Sequence, residues 1–69
     1  MKYRLLLKPT NNLYKIYGTA LQLQRSAQVK RINIVQNFLP GIGTLEIEST
    51  LMPDEIKQLN AEISEVDPI

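Results

Sequence analysis

Two short segments of the chain alternate with a period of two and carry opposite charges on their polar sides. In one, Tyr3, Leu5 and Leu7 alternate with Lys2, Arg4, Leu6 and Lys8; in the other, Leu45 and Ile47 alternate with Glu46 and Glu48. Successive side chains of a strand point to opposite faces, so each segment reads as a half-buried strand. Laid side by side, their apolar faces close one core and Lys2 and Arg4 come beside Glu46 and Glu48. Cross-strand pairs of opposite charge contribute about 0.2–1 kcal/mol each and help to specify such a pairing.

The same polarity runs through the whole chain. Residues 1–45 hold seven bases and no acid (+7), whereas residues 46–69 hold seven acids and only Lys57 (−6), which leaves the net charge at +1. Three arrangements account for the split: the two parts fold onto each other, they meet across a contact with a second copy, or the basic part faces an anionic partner.

Between and beyond these strands the pattern changes. Pro9 ends the first strand, and Thr10-Asn11-Asn12 supplies side chains suited to capping a helix. Leu13, Ile16, Tyr17, Ala20, Leu21 and Gln24 then recur at spacings of three and four, one face of a helix. Gly18 opposes that reading by about 1 kcal/mol relative to alanine. A hairpin turned at Asn11-Asn12, with Leu21-Gln22-Leu23-Gln24 as a strand, is the competing assignment. Val29–Val35 is rich in β-branched residues, and Phe38-Leu39-Pro40-Gly41-Ile42-Gly43 signals a turn. A hairpin follows in which Ile32 and Ile34 share a face with Leu45 and Ile47. Pro53 suits the first position of a second helix, and Asp54 and Glu55 complement its dipole. Its expected buried stripe is Met52, Ile56, Leu59 and Ile63, with Leu51 and Ile56 as a hydrophobic staple. Glu65–Ile69 remains as a tail or a short edge strand.

The order β-α-β-β-α, with that optional last strand, is the order of a small ferredoxin-like α+β sandwich, a single domain over residues 1–69. In that layout the first strand lies between the third and the fourth, which adds Glu65 and Asp67 to the neighbours of Lys2 and Arg4. A domain of this size buries only about 60% of its unfolded surface, so an interface would add to a small core.

Composition removes whole classes of chemistry. The chain has no histidine and no cysteine, which excludes Ser-His-Asp and Cys-His catalysis, disulfides and thiolate zinc sites. No catalysis, cofactor or metal is expected. Glu46, Glu48 and Asp54 are the best candidates for a hard cation, and surface ion pairs are the more common use of such carboxylates. Three consecutive leucines near the start are too few for a signal-peptide core or a membrane span, so a cytoplasmic chain without membrane contact is expected.

Leu39-Pro40-Gly41-Ile42-Gly43 resembles the hairpin of helix-hairpin-helix DNA-binding modules, in which a residue between two glycines lets backbone N–H groups reach phosphate. The likeness covers five residues, and it departs from the pattern where Ile47 stands in place of a small residue. An ordinary hairpin turn is the preferred reading. Base stacking on the sheet is disfavoured, because its outward positions offer glutamates and no aromatic side chain. Core packing is expected for Phe38 and Tyr17, while Tyr14 beside the helix stripe suits an interface anchor.

The expectation is therefore a small non-catalytic protein-interaction or assembly subunit, self-association included. The alternative is a nucleic-acid-binding module using the basic N-terminal segment. Tyr14, Lys15, Arg25, Lys30 and Arg31 are the candidate partner-binding residues, toward a protein partner or second copy first and nucleic acid second.

Overall fold

In the computed structural model, which describes residues 1–35 and 42–69, the elements follow as β1 (Lys2–Leu7), α1 (Leu13–Gln24), β2 (Val29–Val35), β3 (Thr44–Ser49), α2 (Pro53–Lys57) and β4 (Ile63–Pro68). The expected core contact of Phe38 and the turn at Leu39-Pro40-Gly41 lie outside the described residues. The four strands form one antiparallel sheet in the order β2-β3-β1-β4. The chain is thus a small α+β domain.

Part of the charge split is matched across this sheet. Lys2 lies opposite Glu48 and Arg4 opposite Glu46, while on the other flank Arg4 lies opposite Asp67 and Leu6 opposite Glu65. Lys30 of β2 faces Glu48 from the remaining side. The strand order interleaves basic and acidic strands across the outer face, while Lys15 and Arg25 on α1 stand outside this arrangement. These are the neighbours expected from placing the first strand between the third and the fourth.

The inner face carries the core. Tyr3, Leu5, Leu7, Leu45, Ile47, Val29 and Ile63 from the strands pack with Ile16 and Leu23 of α1 and Ile56 of α2. Full burial of each such aliphatic side chain contributes about 1.5–3 kcal/mol. Polar atoms that enter this layer are paired. The Tyr3 hydroxyl donates to the Leu51 carbonyl at 3.0 Å. The buried Ser49 hydroxyl donates to the Gln28 carbonyl at 2.7 Å and accepts from the Leu51 N–H at 3.0 Å, tying the entries of β2 and α2 together. Gly43 is required by close approach: a Cβ there would stand 2.8 Å from the Ile16 side chain.

Strand β2 meets a conflict between its sequence and a period of two, because Val29 and Ile32 both serve the core but stand three apart. A bulge resolves it. The register shifts between Lys30 and Asn33, and Arg31 takes φ 52°, a left-handed conformation that costs a non-glycine residue about 1–2 kcal/mol. The extra residue returns Ile32 to the core side, where it packs partly buried, and places Ile34 opposite Leu45.

Residues 13–24 form the helix rather than the hairpin. Asn12 is the N-cap, its side-chain oxygen accepting from the Tyr14 N–H at 3.0 Å. The buried face is rotated from the expected one, however: Ile16, Thr19 and Leu23 are buried, with Ala20 partly so, while Leu13, Tyr17 and Leu21 are exposed. Apolar residues of α1 spread over about half the helical circumference, and a single sheet face covers only part of that arc. Thr19 is accommodated because its hydroxyl donates to the Lys15 carbonyl at 2.8 Å.

The second helix is shorter than its stripe implies. It ends at Lys57, because Asn60 turns the chain: its side-chain oxygen accepts from the Glu62 N–H at 2.7 Å, and its carbonyl from the Ile63 N–H. Ile63 therefore faces the core from a strand, and the end of the chain is a six-residue strand paired to β1 rather than a tail. Met52 is exposed and does not join the buried stripe; its N–H donates to the Glu55 carboxylate at 3.0 Å, fixing the helix start.

Candidate functional site

The five candidate residues do not form one cluster. Tyr14 and Lys15 stand in the first turn of α1 and Arg25 at its C-cap, and ten residues of helix hold Lys15 and Arg25 about 15 Å apart. Lys30 and Arg31 belong to β2, with Lys30 beside Glu48 in the register and the Arg31 guanidinium 3.4 Å from the Glu48 carboxylate. All five are exposed. Phosphate binding gains from several cations on one surface, and here the sheet's own acids already neighbour two of them.

The outer sheet face forms a shallow concavity lined by Lys2, Arg31, Asn33, Glu46, Glu48 and Ile69. Arg4 and Glu46 also approach to 3.5 Å. Charges of both signs alternate here at strand spacing, which gives a mixed surface with no single-sign field. No group of three or more acidic side chains capable of holding a metal is present among the described residues. Glu46 and Glu48 instead face arginines.

A different surface stands out on α1. Tyr14 is 85% exposed, Leu13 and Leu21 are 61%, Tyr17 is 52%, and Ile34 on neighbouring β2 is 44%. Between helix and strand runs a mainly apolar groove, lined by Tyr17, Leu21, Ile32 and Ile34 among others, into which Gln24 and Arg31 bring polar groups. Two tyrosines and three aliphatic residues in one region form the kind of patch that marks an interaction site, whereas a lone exposed leucine would not. Lys15 is the only charged residue within α1 itself.

The apolar arc of α1 carries both a core face and this surface, and reading its three- and four-residue spacings as one stripe assigns Leu13, Tyr17 and Leu21 to the interior. The width of the arc was the signal that could separate them. Tyr14 is the one candidate residue that belongs to the patch. Leu13, Tyr17, Leu21 and Ile34 join it only once the fold is known.

Gly18 sits within the exposed side of α1. A Cβ at that position would meet nothing within 4 Å, in contrast to Gly43, where the Ile16 side chain excludes one. Glycine in a helix interior costs about 0.5–1 kcal/mol relative to alanine, and internal packing gives no return for it at Gly18.

No described helix is long and apolar enough to cross a membrane. Comparison with protein-family models, curated proteins and solved structures found no match for this chain.

Proposed function

We propose that this chain is a small, non-catalytic protein-interaction domain of ferredoxin-like architecture that assembles with a second copy of itself through α1. The strand order β2-β3-β1-β4, antiparallel throughout, supports the architectural part of this reading. The functional part rests on one observation: Leu13, Tyr14, Tyr17 and Leu21 expose a continuous apolar surface on a helix whose other side already fills the core. Contacts of this kind bury aromatic anchors, and tyrosine is among the residues that most often dominate their energetics.

The strand charges are not needed for this contact, because they neighbour one another across the sheet. Association is therefore apolar in character and persists at high salt. Light scattering coupled to size-exclusion chromatography tests this at low and high ionic strength. The wild-type chain is expected to run as a dimer at both, and the double variant Tyr17→Glu/Leu21→Glu as a folded monomer, since neither side chain is part of the core. A wild-type monomer at every concentration tested would overturn the reading.

Nucleic-acid binding ranks second. Its observation is that residues 8–45 contain five bases and no acid. A random-sequence oligonucleotide that binds the wild-type chain and is lost on Lys30→Glu/Arg31→Glu would favour it.

A further inference from the structure

We infer that the two edges of the sheet are complementary, and that the outer edge of β4 in one copy pairs with the outer edge of β2 in a second. In spatial order the strands carry two bases (Lys30 and Arg31 of β2), two acids (Glu46 and Glu48 of β3), two bases (Lys2 and Arg4 of β1) and two acids (Glu65 and Asp67 of β4). No strand mixes the signs. The series ends basic on one side and acidic on the other, so a second β2 beside β4 continues it. Strand direction continues as well. Every neighbouring pair is antiparallel, so β2 and β1 run one way and β3 and β4 the other. A copy set alongside in the same orientation brings its β2 antiparallel to β4 and keeps its helices on the same side of the sheet.

Both faces of such a seam match. On the outer face, Lys30 and Arg31 share Glu48 as their acidic neighbour, while Glu65 stands opposite Leu6 and has no base across from it in β1. On the inner face, Ile34 is 44% exposed and Val66 is half-buried, each at the rim of the core. The charges also select the occupant. Pairing β2 with β2, or β4 with β4, sets like charges across the seam and is destabilising. An unrelated acidic peptide would match β2 alone, whereas a second copy answers both edges. The contact is heterologous, head to tail. Among the described residues no strand pairs with the outer edge of β2 or of β4. Pro68 lacks an N–H and the bulge at Arg31 interrupts β2, two features that limit edge pairing. The seam is therefore short, below the ~1,600 Å² of a standard interface. It forms at near-millimolar concentration, above that of a chromatographic run, and it does not depend on the α1 contact.

Static light scattering of near-millimolar protein tests this. At low ionic strength the apparent mass is expected to rise with concentration, and to fall back about twofold or more in about 1 M salt, where charges are screened beyond about 3 Å. Arg31→Glu and Glu65→Lys, at exposed positions, are each expected to weaken the salt-sensitive association about tenfold. An equimolar mixture of the two recovers it, because the unaltered acidic edge of one variant meets the unaltered basic edge of the other. Lys57→Glu and Asp54→Lys on α2, which make the same changes of net charge away from both edges, leave it unchanged. A mass that is the same at both salts overturns the seam without touching the salt-resistant α1 contact, so the two readings fail separately. Salt-sensitive growth that neither edge variant alters, or that the mixture does not restore, also overturns it. A chain that gains no mass yet binds poly-glutamate, with loss on Arg31→Glu, overturns it in favour of a foreign acidic strand at β2.

Discussion

The outer face of the sheet and the outer side of α1 are both open to solvent, and they handle exposure in opposite ways. On the sheet, Lys2, Arg4, Lys30 and Arg31 neighbour Glu46, Glu48 and Asp67, so each of these charges has a neighbour of opposite sign within the same molecule. On α1, two tyrosines and two leucines stand exposed, and no described residue covers them. The strand part of the most conspicuous feature of the sequence, its charge split, is matched within the sheet. The surface with unspent free energy is the one whose sequence looks most like core. Charge patterning thus accompanies the strand order here, and the apolar surplus on α1 is where the proposed partner would add to stability.

This contrast is sharpest between two leucines of one helix. Leu23 is 1% exposed and Leu21 61%. Leu23→Ala is expected to destabilise the domain by about 2–5 kcal/mol in urea denaturation, a large share of the stability of so small a domain. Leu21→Ala should leave dilute monomer within about 0.5 kcal/mol of wild type, as surface substitutions usually do, and act on association instead. Equal losses from the two would erase the distinction between the faces.

The two glycines give the next effect. Gly43→Ala pushes a methyl group against Ile16 and is expected to cost about 1–3 kcal/mol through overpacking. Gly18→Ala is expected to gain about 0.5–1 kcal/mol in dilute protein, where helix propensity alone decides. Thermal melts of both variants at the same low concentration check the signs.

On the sheet, Glu46→Lys places a base between Arg4 and Asn33 and should cost about 1 kcal/mol at low salt, less at high salt because the site is exposed. Adding Arg4→Glu to it restores the pair on that side and should recover part of the loss, which a double-mutant cycle measures. The smallest effect is expected at Arg31→Gly. Relief of the left-handed backbone opposes loss of the Glu48 pair and the added freedom of the unfolded chain, for a net change within about 0.5 kcal/mol.

Much of the sheet was legible in the sequence because period-two alternation is local and charge complementarity reports pairing at a distance. Lys2 and Arg4 met Glu46 and Glu48 as expected once the element order had placed the first strand beside the third. The bulge at Arg31 was not legible. Its cause is a three-residue spacing between Val29 and Ile32 that conflicts with the strand only when both must face one core. The end of α2 was missed because Ile56 and Ile63, seven apart, match a helical stripe, whereas the Asn60 turn delivers Ile63 to the core from a strand. The candidate surface was legible only at Tyr14. Helical spacing reveals that α1 is apolar over a wide arc, but not which part of it the sheet covers.

The sequence by itself determined the alternating strands, a helix start after Thr10-Asn11-Asn12 and another at Pro53, the exclusion of histidine and cysteine chemistry, and the opposite charges carried by β1 and β3. Each of these follows from neighbours within a few residues or from residue type. Tertiary structure alone decided the rotation of α1, because the number of helical positions a sheet can bury depends on where Gly43 lets Ile16 descend. That rotation leaves Leu13, Tyr17 and Leu21 outside with Tyr14, and turns residues that read as interior into the surface through which the domain is proposed to assemble.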